Sequence, residues 1–195
     1  GHAVSRRSDF ILYSVEASNI ERVVQLYAPS TKLGSSVCGQ TSVKSPEIDA
    51  FLKHMDDDVH IMACHSLHGP KVSSKDQPLV IVRERIGDKQ YKIALTILSS
   101  LKSRFVFLSA NEHDIITADT QVATHLAFLS MGTTWKTQHF FPWENRSYVG
   151  GLENVKQLMT LRIYASKWHV YAGLALLNSK ARPQIRQYAK SVSEL

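Results

Sequence analysis

The sequence predicts an α+β fold, mainly an antiparallel β-barrel of about seven or eight strands with flanking helices. Two observations predict it. Apolar residues alternate with polar ones over residues 59–108, and similar short runs return over residues 137–177. Few helical stretches separate these runs, so consecutive strands should pair in antiparallel fashion and close on themselves to hide their edges.

The first elements are predicted from local composition. Residues 10–15 are β-branched and aromatic, which predicts a strand. An apolar stripe at helical spacing follows and ends before Pro29. Residues 30–45 are rich in Ser, Thr and Gly and are interpreted as a loop. A second helix is expected to begin at Ser45, because proline follows it in the first turn.

The rest of the chain is interpreted mostly as strands. We expect them at 59–67, 79–86, 91–98, 104–108, 137–149, 155–165 and 168–177. The second and third of these flank a short Gly-containing connection, which predicts a hairpin. Helices are expected over 115–131 and after Pro183. All elements are assigned to a single domain over residues 1–195, with residues 1–5 a tag remnant or a flexible end.

Charge and hydropathy narrow the classes of function. The net charge of +6 permits a nucleic acid or an acidic partner, but Asp56-Asp57-Asp58 interrupts the basic residues. We therefore expect no dedicated nucleic-acid site, although a basic RNA-binding or matrix-like protein stays an alternative. No apolar run reaches about 18 residues, so we expect no membrane span.

Side chains with catalytic or metal-binding chemistry do not converge in the sequence. On a strand, His60, Cys64 and His68 share one face but lie about 13 Å apart at each step, too far to share a zinc ion. Cys38 paired with a histidine could form a small cysteine hydrolase, an alternative that stays open. Phosphate-loop and dinucleotide motifs are absent. We expect no catalytic residue, no metal, no cofactor and no enzymatic activity.

One aromatic segment is predicted to contribute to a partner-binding surface. Trp143 lies in the turn-like sequence Pro142-Trp143-Glu144, where burial within one chain is difficult. Large aromatic side chains are otherwise most often core residues. The predicted surface consists of Trp135, Phe140, Phe141, Trp143 and Tyr148.

The order of these elements resembles the Mediator subunit 18 family, from the head module of the Mediator transcription coactivator complex. Three parts of the chain carry the resemblance. They are Asp9–Val15 with the following helix to Tyr27, the predicted strand pair over 78–98, and the helix to Met131-Gly132 with the strands after it. The closing strand and helix also agree with the end of that family's pattern.

The resemblance implies a non-enzymatic structural and interaction subunit in the nucleus. Such a subunit links transcription regulators to RNA polymerase II through protein–protein contacts. The partners implied are the C-terminal helix of Mediator subunit 8, Mediator subunit 20 and, indirectly, the RNA polymerase II machinery.

Overall fold

The computed structural model describes residues 1–69, 71–145, 147 and 150–195, with the backbone alone at 168–170. The chain divides into two compact units, residues 1–114 and residues 115–195. The expectation of a single domain over 1–195 stays a prediction, which limited proteolysis would test.

The first unit is built on an open, mixed sheet. Its five strands are β1 (Phe10–Tyr13), β2 (Ser36–Gly39), β3 (His60–Ser66), β4 (Pro78–Arg83) and β5 (Arg104–Phe107), and they lie side by side in that order. The first three strands are parallel, β4 is antiparallel to β3, and β5 is parallel to β4. The predicted antiparallel β-barrel is therefore wrong, because helices return the chain between the parallel strands.

Helices cover both faces of this sheet. They are α1 (His2–Ser5), α2 (Ile20–Tyr27), α3 (Ser45–His54), α4 (Asp88–Ser99) and α5 (Ala110–Thr117). Val24 of α2 and Phe51 of α3 pack against one face of the sheet, and Ala94 and Leu98 of α4 pack against the other. A sheet that is covered on both faces needs apolar side chains in both directions.

Two predictions in this unit fail for that reason. Residues 30–45 are not all loop, because Ser36–Gly39 form β2, whose four residues are all buried. A strand with both faces buried shows no alternation that marks it in the sequence. The strand predicted over 91–98 is part of helix α4. The predicted strands near residues 10, 60 and 104 and the helix beginning at Ser45 are confirmed.

The second unit is helical among its described residues. It contains a π-helical turn (Ala118–Val122), α6 (Ala123–Gln138), α7 (Leu152–Tyr164), α8 (Trp168–Leu177) and α9 (Ala181–Ser193). The predicted helices over 115–131 and near the C-terminus are confirmed. The strands predicted at 155–165 and 168–177 are wrong, and so is the described part of the one at 137–149. No helix among the described residues is both long and apolar enough to cross a membrane.

Helix α7 shows why strands were predicted there. Its buried positions are Gln157, Thr160 and Ile163, which recur every third residue and include two polar side chains. Its apolar Leu152 and Leu158 are largely exposed, at 81% and 68%. Because polar residues face inward and apolar residues face outward, the usual amphipathic signal of a helix is lost.

Gly39, at the end of β2, has no room for a side chain. An added Cβ would lie 2.0 Å from the carboxyl carbon of Glu47, a residue that is fully buried. We expect Gly39→Ala to lower the free energy of unfolding by about 1–3 kcal/mol, the usual cost of overpacking. Urea denaturation measures it. Gly69→Ala is the control, because a Cβ there meets nothing within 4 Å; equal losses in both variants would contradict the explanation.

Candidate functional site

The candidate site lies at one edge of the sheet. Because β1, β2 and β3 are parallel, their carboxyl ends at Tyr13, Gly39 and Ser66 meet at the same edge. In open α/β sheets, ligands bind in the crevice outside these ends. His65 is the next-to-last residue of β3, so its side chain is held at that edge.

Three side chains form a hydrogen-bonded chain there, called the His65 relay: His65, His113 and Asp114. Nδ1 of His65 lies 2.8 Å from Nε2 of His113. Nδ1 of His113 lies 2.9 Å from Oδ1 of Asp114. His113 and Asp114 are 2% and 0% exposed, so the relay runs from the buried interior to the half-buried His65.

The network fixes the tautomers. An ionised carboxylate only accepts, so Nδ1 of His113 donates to Asp114. Nε2 of the neutral His113 ring then accepts from the Nδ1–H of His65. This leaves the lone pair of His65 on Nε2, and no described residue forms a hydrogen bond with that nitrogen. The relay therefore ends in a nitrogen that can accept a proton from a ligand.

Electrostatics keep His65 uncharged. Burial, and after it the positive charge of Lys44 and the neighbouring His113, lower the pKa of His65 to about 3, against an opposing effect of Asp114. Burial pushes the pKa of Asp114 upward, but hydrogen bonds from His113, Ser45 and the backbone N–H of Lys44 outweigh it, and the pKa lies below its usual value. The relay thus pairs a neutral imidazole with an ionised carboxylate.

A buried ion pair lies directly behind the relay. Nζ of Lys44 donates to Oε2 of Glu47 at 2.5 Å and to the carbonyl oxygen of Cys64 at 2.7 Å. Both charged side chains are 0% exposed. Asp114 accepts from the backbone N–H groups of Lys44 and Ser45, each at 2.8 Å, and so caps the N-terminus of α3 from another helix.

A neutral imidazole backed by a buried carboxylate is suited to general acid–base catalysis. The base takes a proton from a bound hydroxyl, and the carboxylate orients the ring and stabilises the imidazolium that forms. Sequence reasoning missed this group because His65 and His113 are 48 residues apart. The only local signal was the pair His113-Asp114 at the opening of a helix.

The residues considered for metal or thiol chemistry have other surroundings. His60 lies at the opposite end of β3 from His65. The described part of the chain contains no group of three His, Cys, Asp or Glu residues placed to hold a metal ion. Cys38 is not in a loop but fully buried in β2, and its hydrogen bond with Cys64 and its burial raise the pKa of the thiol well above the usual value. A buried thiol of this kind is inert, so the cysteine-hydrolase alternative is wrong.

The predicted aromatic surface is split between core and exposed positions. Trp135 is 8% exposed and packs edge-on against Trp143, with ring centroids 5.8 Å apart. Phe141 also contacts Trp143, whereas Phe140 and Trp143 are about half exposed. A cavity of about 340 Å³ lies beside these rings within the second unit. Tyr148 lies outside the described residues. Partner binding by this segment stays a prediction.

The low pKa of His65 has a consequence for stability. An unfolded His65 takes up a proton near pH 6.5, whereas the folded one stays neutral down to about pH 3. The unfolded state therefore binds more protons over this range, and the free energy of unfolding should fall as the pH drops, by up to about 1.4 kcal/mol per pH unit. Urea titrations at several pH values measure the slope.

His65→Asn isolates this effect from the titration of carboxylates. The variant should lose most of the slope between about pH 6.5 and pH 5, where few carboxylates titrate. His60→Asn, at the other end of the same strand, should keep it. A slope that is the same in all three proteins would show that His65 titrates alike in the folded and unfolded chain.

Comparison with known proteins shows that the chain is similar to dehydrogenases. Residues 122–195 match the family described as 6-phosphogluconate dehydrogenase C-terminal domain. The whole chain is 58% identical over 195 residues to a probable NADP(+) prephenate dehydrogenase of Schizosaccharomyces pombe, of which it covers 45%. It is 54% identical over 199 residues to an NADP(+) prephenate dehydrogenase of Saccharomyces cerevisiae, of which it covers 44%. The chain therefore spans about half the length of these relatives.

Solved structures agree on the fold. The prephenate dehydrogenase of A. aeolicus, crystallised with hydroxyphenyl propionate and NAD+, superposes with a TM-score of 0.81 at 14% identity, over 100% of this chain and 71% of that one. An arogenate dehydrogenase of Synechocystis gives a TM-score of 0.71 at 12% identity, over 100% of this chain and 72% of that one. The fold is the Rossmann-like α/β fold of dehydrogenases.

These findings overturn the resemblance to Mediator subunit 18. The similarity is to metabolic enzymes over the whole chain, so the non-enzymatic transcription role is wrong. The implied partners, the C-terminal helix of Mediator subunit 8, Mediator subunit 20 and the RNA polymerase II machinery, fall with it. Nuclear localisation was implied by the same resemblance and stays an untested prediction. The resemblance rested on the order of apolar runs, several of which are helices rather than strands.

Proposed function

We propose that this chain forms part of an NADP-dependent prephenate dehydrogenase, in which it supplies the proton acceptor for the hydroxyl group of the substrate. The observation that carries the proposal is the open Nε2 of His65 at the carboxyl edge of the parallel strands, with His113 and Asp114 bonded behind it. Identities of 58% and 54% to two yeast enzymes of that name support the choice of reaction.

The chemistry of alcohol oxidation fits this group. The carbon that carries the hydroxyl loses a hydride, and the hydroxyl loses a proton to a base. NADP, when bound, accepts the hydride. Nε2 of His65 would accept the proton, the Nδ1–H of His65 would stay bonded to His113, and Asp114 would stabilise the positive charge that His65 acquires.

The described residues fit one end of such a cofactor. Ser14 and Ser42 follow β1 and β2 at the edge where His65 lies, and their small side chains would line a nicotinamide ring there. The 195 residues contain no Gly-rich turn that opens a helix after a strand, which is the usual cradle of the dinucleotide phosphates. We therefore assign to this chain the reacting end of the cofactor and not the phosphates.

A chimera tests the proposal. These 195 residues replace the matching segment of the S. pombe relative, and the purified protein is assayed for NADPH formation with prephenate. We expect turnover close to that of the unaltered relative, and loss of turnover on His65→Ala. A chimera that is folded and binds NADP but forms no NADPH with prephenate would overturn the assignment.

A further inference from the structure

The Lys44–Glu47 ion pair calls for an explanation beyond stability. Both side chains are 0% exposed and their charged atoms are 2.5 Å apart. Removing two charges from water costs several kcal/mol per ion, and a buried pair often contributes no net stability compared with apolar residues of the same volume. The proton transfer proposed for His65 does not itself use either residue.

Lys44 is bonded to both ends of the His65 relay. Its Nζ donates to the carbonyl oxygen of Cys64 at 2.7 Å, and Cys64 directly precedes His65 in β3. Its backbone N–H donates at 2.8 Å to Asp114, the other end of the relay. One residue therefore fixes the distance between the strand that carries the base and the carboxylate that orients it.

Glu47 holds Lys44 in this position. Oε2 of Glu47 accepts from Nζ of Lys44, and Oε1 accepts from the backbone N–H of Thr41 at 2.8 Å. Its carboxyl group fills the space beside Gly39 that a side chain would otherwise occupy. Glu47 thus provides the counter-charge that lets Lys44 stay charged in the interior, and it closes the turn between β2 and α3.

We propose that Lys44 and Glu47 are positioning residues that hold His65 in place and keep it in its uncharged, proton-accepting form under acidic conditions. The importance of this for turnover rests on the proposed function of His65. The charge state of His65 is a property of the chain by itself and is measurable without substrate.

The charges around His65 give the sign of the effect. The groups that act on it electrostatically are Lys44, His113 and Asp114, and Glu47 lies behind Lys44. The positive charge of Lys44 opposes protonation of His65 and lowers its pKa, whereas Asp114 acts in the opposite direction. Loss of the Lys44 charge should therefore let His65 take up a proton at a higher pH.

Titration of the histidine rings by NMR, on the 195-residue chain, tests this. In the unaltered chain we expect His65 to stay neutral through the pH range in which the chain is folded. Lys44→Met should move its titration to a higher pH, and Lys44→Arg should restore the original behaviour. Lys53→Met is the matched control, because Lys53 lies in α3, which Lys44 directly precedes, and forms an exposed ion pair with Glu21.

A second variant guards against a failure to fold. Lys44→Met alone leaves Glu47 buried without its partner, which is strongly destabilising. The double variant Lys44→Met/Glu47→Gln removes both charges and keeps the volume, so it should fold and show the same shift of His65. If His65 titrates in the double variant as it does in Lys53→Met, the proposal is wrong.

The chimera separates this inference from the proposed function. In the double variant, kcat/KM at about pH 5 relative to about pH 8 should fall about tenfold for each pH unit by which the titration of His65 moves into that range. A shift seen by NMR in a chimera that never oxidises prephenate would overturn the proposed function and leave this inference standing. An active chimera whose pH profile is unchanged in the double variant would overturn the inference alone.

Discussion

Replacing His65 by alanine should lower kcat of the chimera by about 10²- to 10⁴-fold, the usual contribution of a positioned general base. The loss is chemical, because Nε2 of His65 is the end of the relay that no described residue occupies. The fold should survive. His65 is only partly buried, and its removal leaves one unpaired nitrogen on His113, which costs about 1 kcal/mol.

His60→Ala is the matched control for this experiment. It removes the same side chain from the same strand, but at the end remote from the carboxyl edge. Steady-state assays of both variants, with thermal unfolding as a check on the fold, give the comparison. If His60→Ala loses as much activity as His65→Ala, the base lies elsewhere and the losses reflect damage to β3.

Replacing Asp114 by alanine should have the largest effect on stability, about 3–5 kcal/mol. The carboxylate is 0% exposed and accepts from His113 and from the backbone N–H groups of Lys44 and Ser45. Its loss leaves buried donors without partners and removes the cap of α3. Urea denaturation of the 195-residue chain measures the loss.

Asp57→Ala is the control, because Asp57 is fully exposed and pairs with Arg85 on the surface. Exposed ion pairs contribute little to stability, since water screens them. A loss for Asp114→Ala as small as that of the control would mean that water replaces the carboxylate at little cost. Asp114→Asn adds a second readout, because an amide can donate to His113 and reverse its tautomer. Turnover should then fall further than the loss of folded protein explains.

The sequence predicted elements well where a single face of an element is buried. The helix at Ser45 and the strands near residues 60 and 104 have such patterns, and they are present. In α4, Ile93 and Ile97 are exposed whereas Ala94 and Leu98 are buried. Because the exposed positions are as apolar as the buried ones, the run was indistinguishable from a strand. Only packing against the sheet decides it.

The site was harder to predict than the fold elements. Recognising it requires β2 and β3 to be parallel, so that the turn before α3 and the end of β3 reach the same edge. With β2 hidden in a segment interpreted as a loop, that edge could not be located. The convergence of His65, Lys44 and Asp114 is a property of the topology, and none of the three belongs to a local motif that signals it.

The carboxylate of Asp114 has two duties that natural selection cannot adjust separately. It caps α3 and it sets the orientation of His113. A substitution that altered the proton transfer would also remove several kcal/mol from a chain whose whole stability is of order 5–15 kcal/mol. Evolution of a different chemistry at this position would therefore first need stabilising substitutions elsewhere, and the order in which mutations are acquired would be constrained.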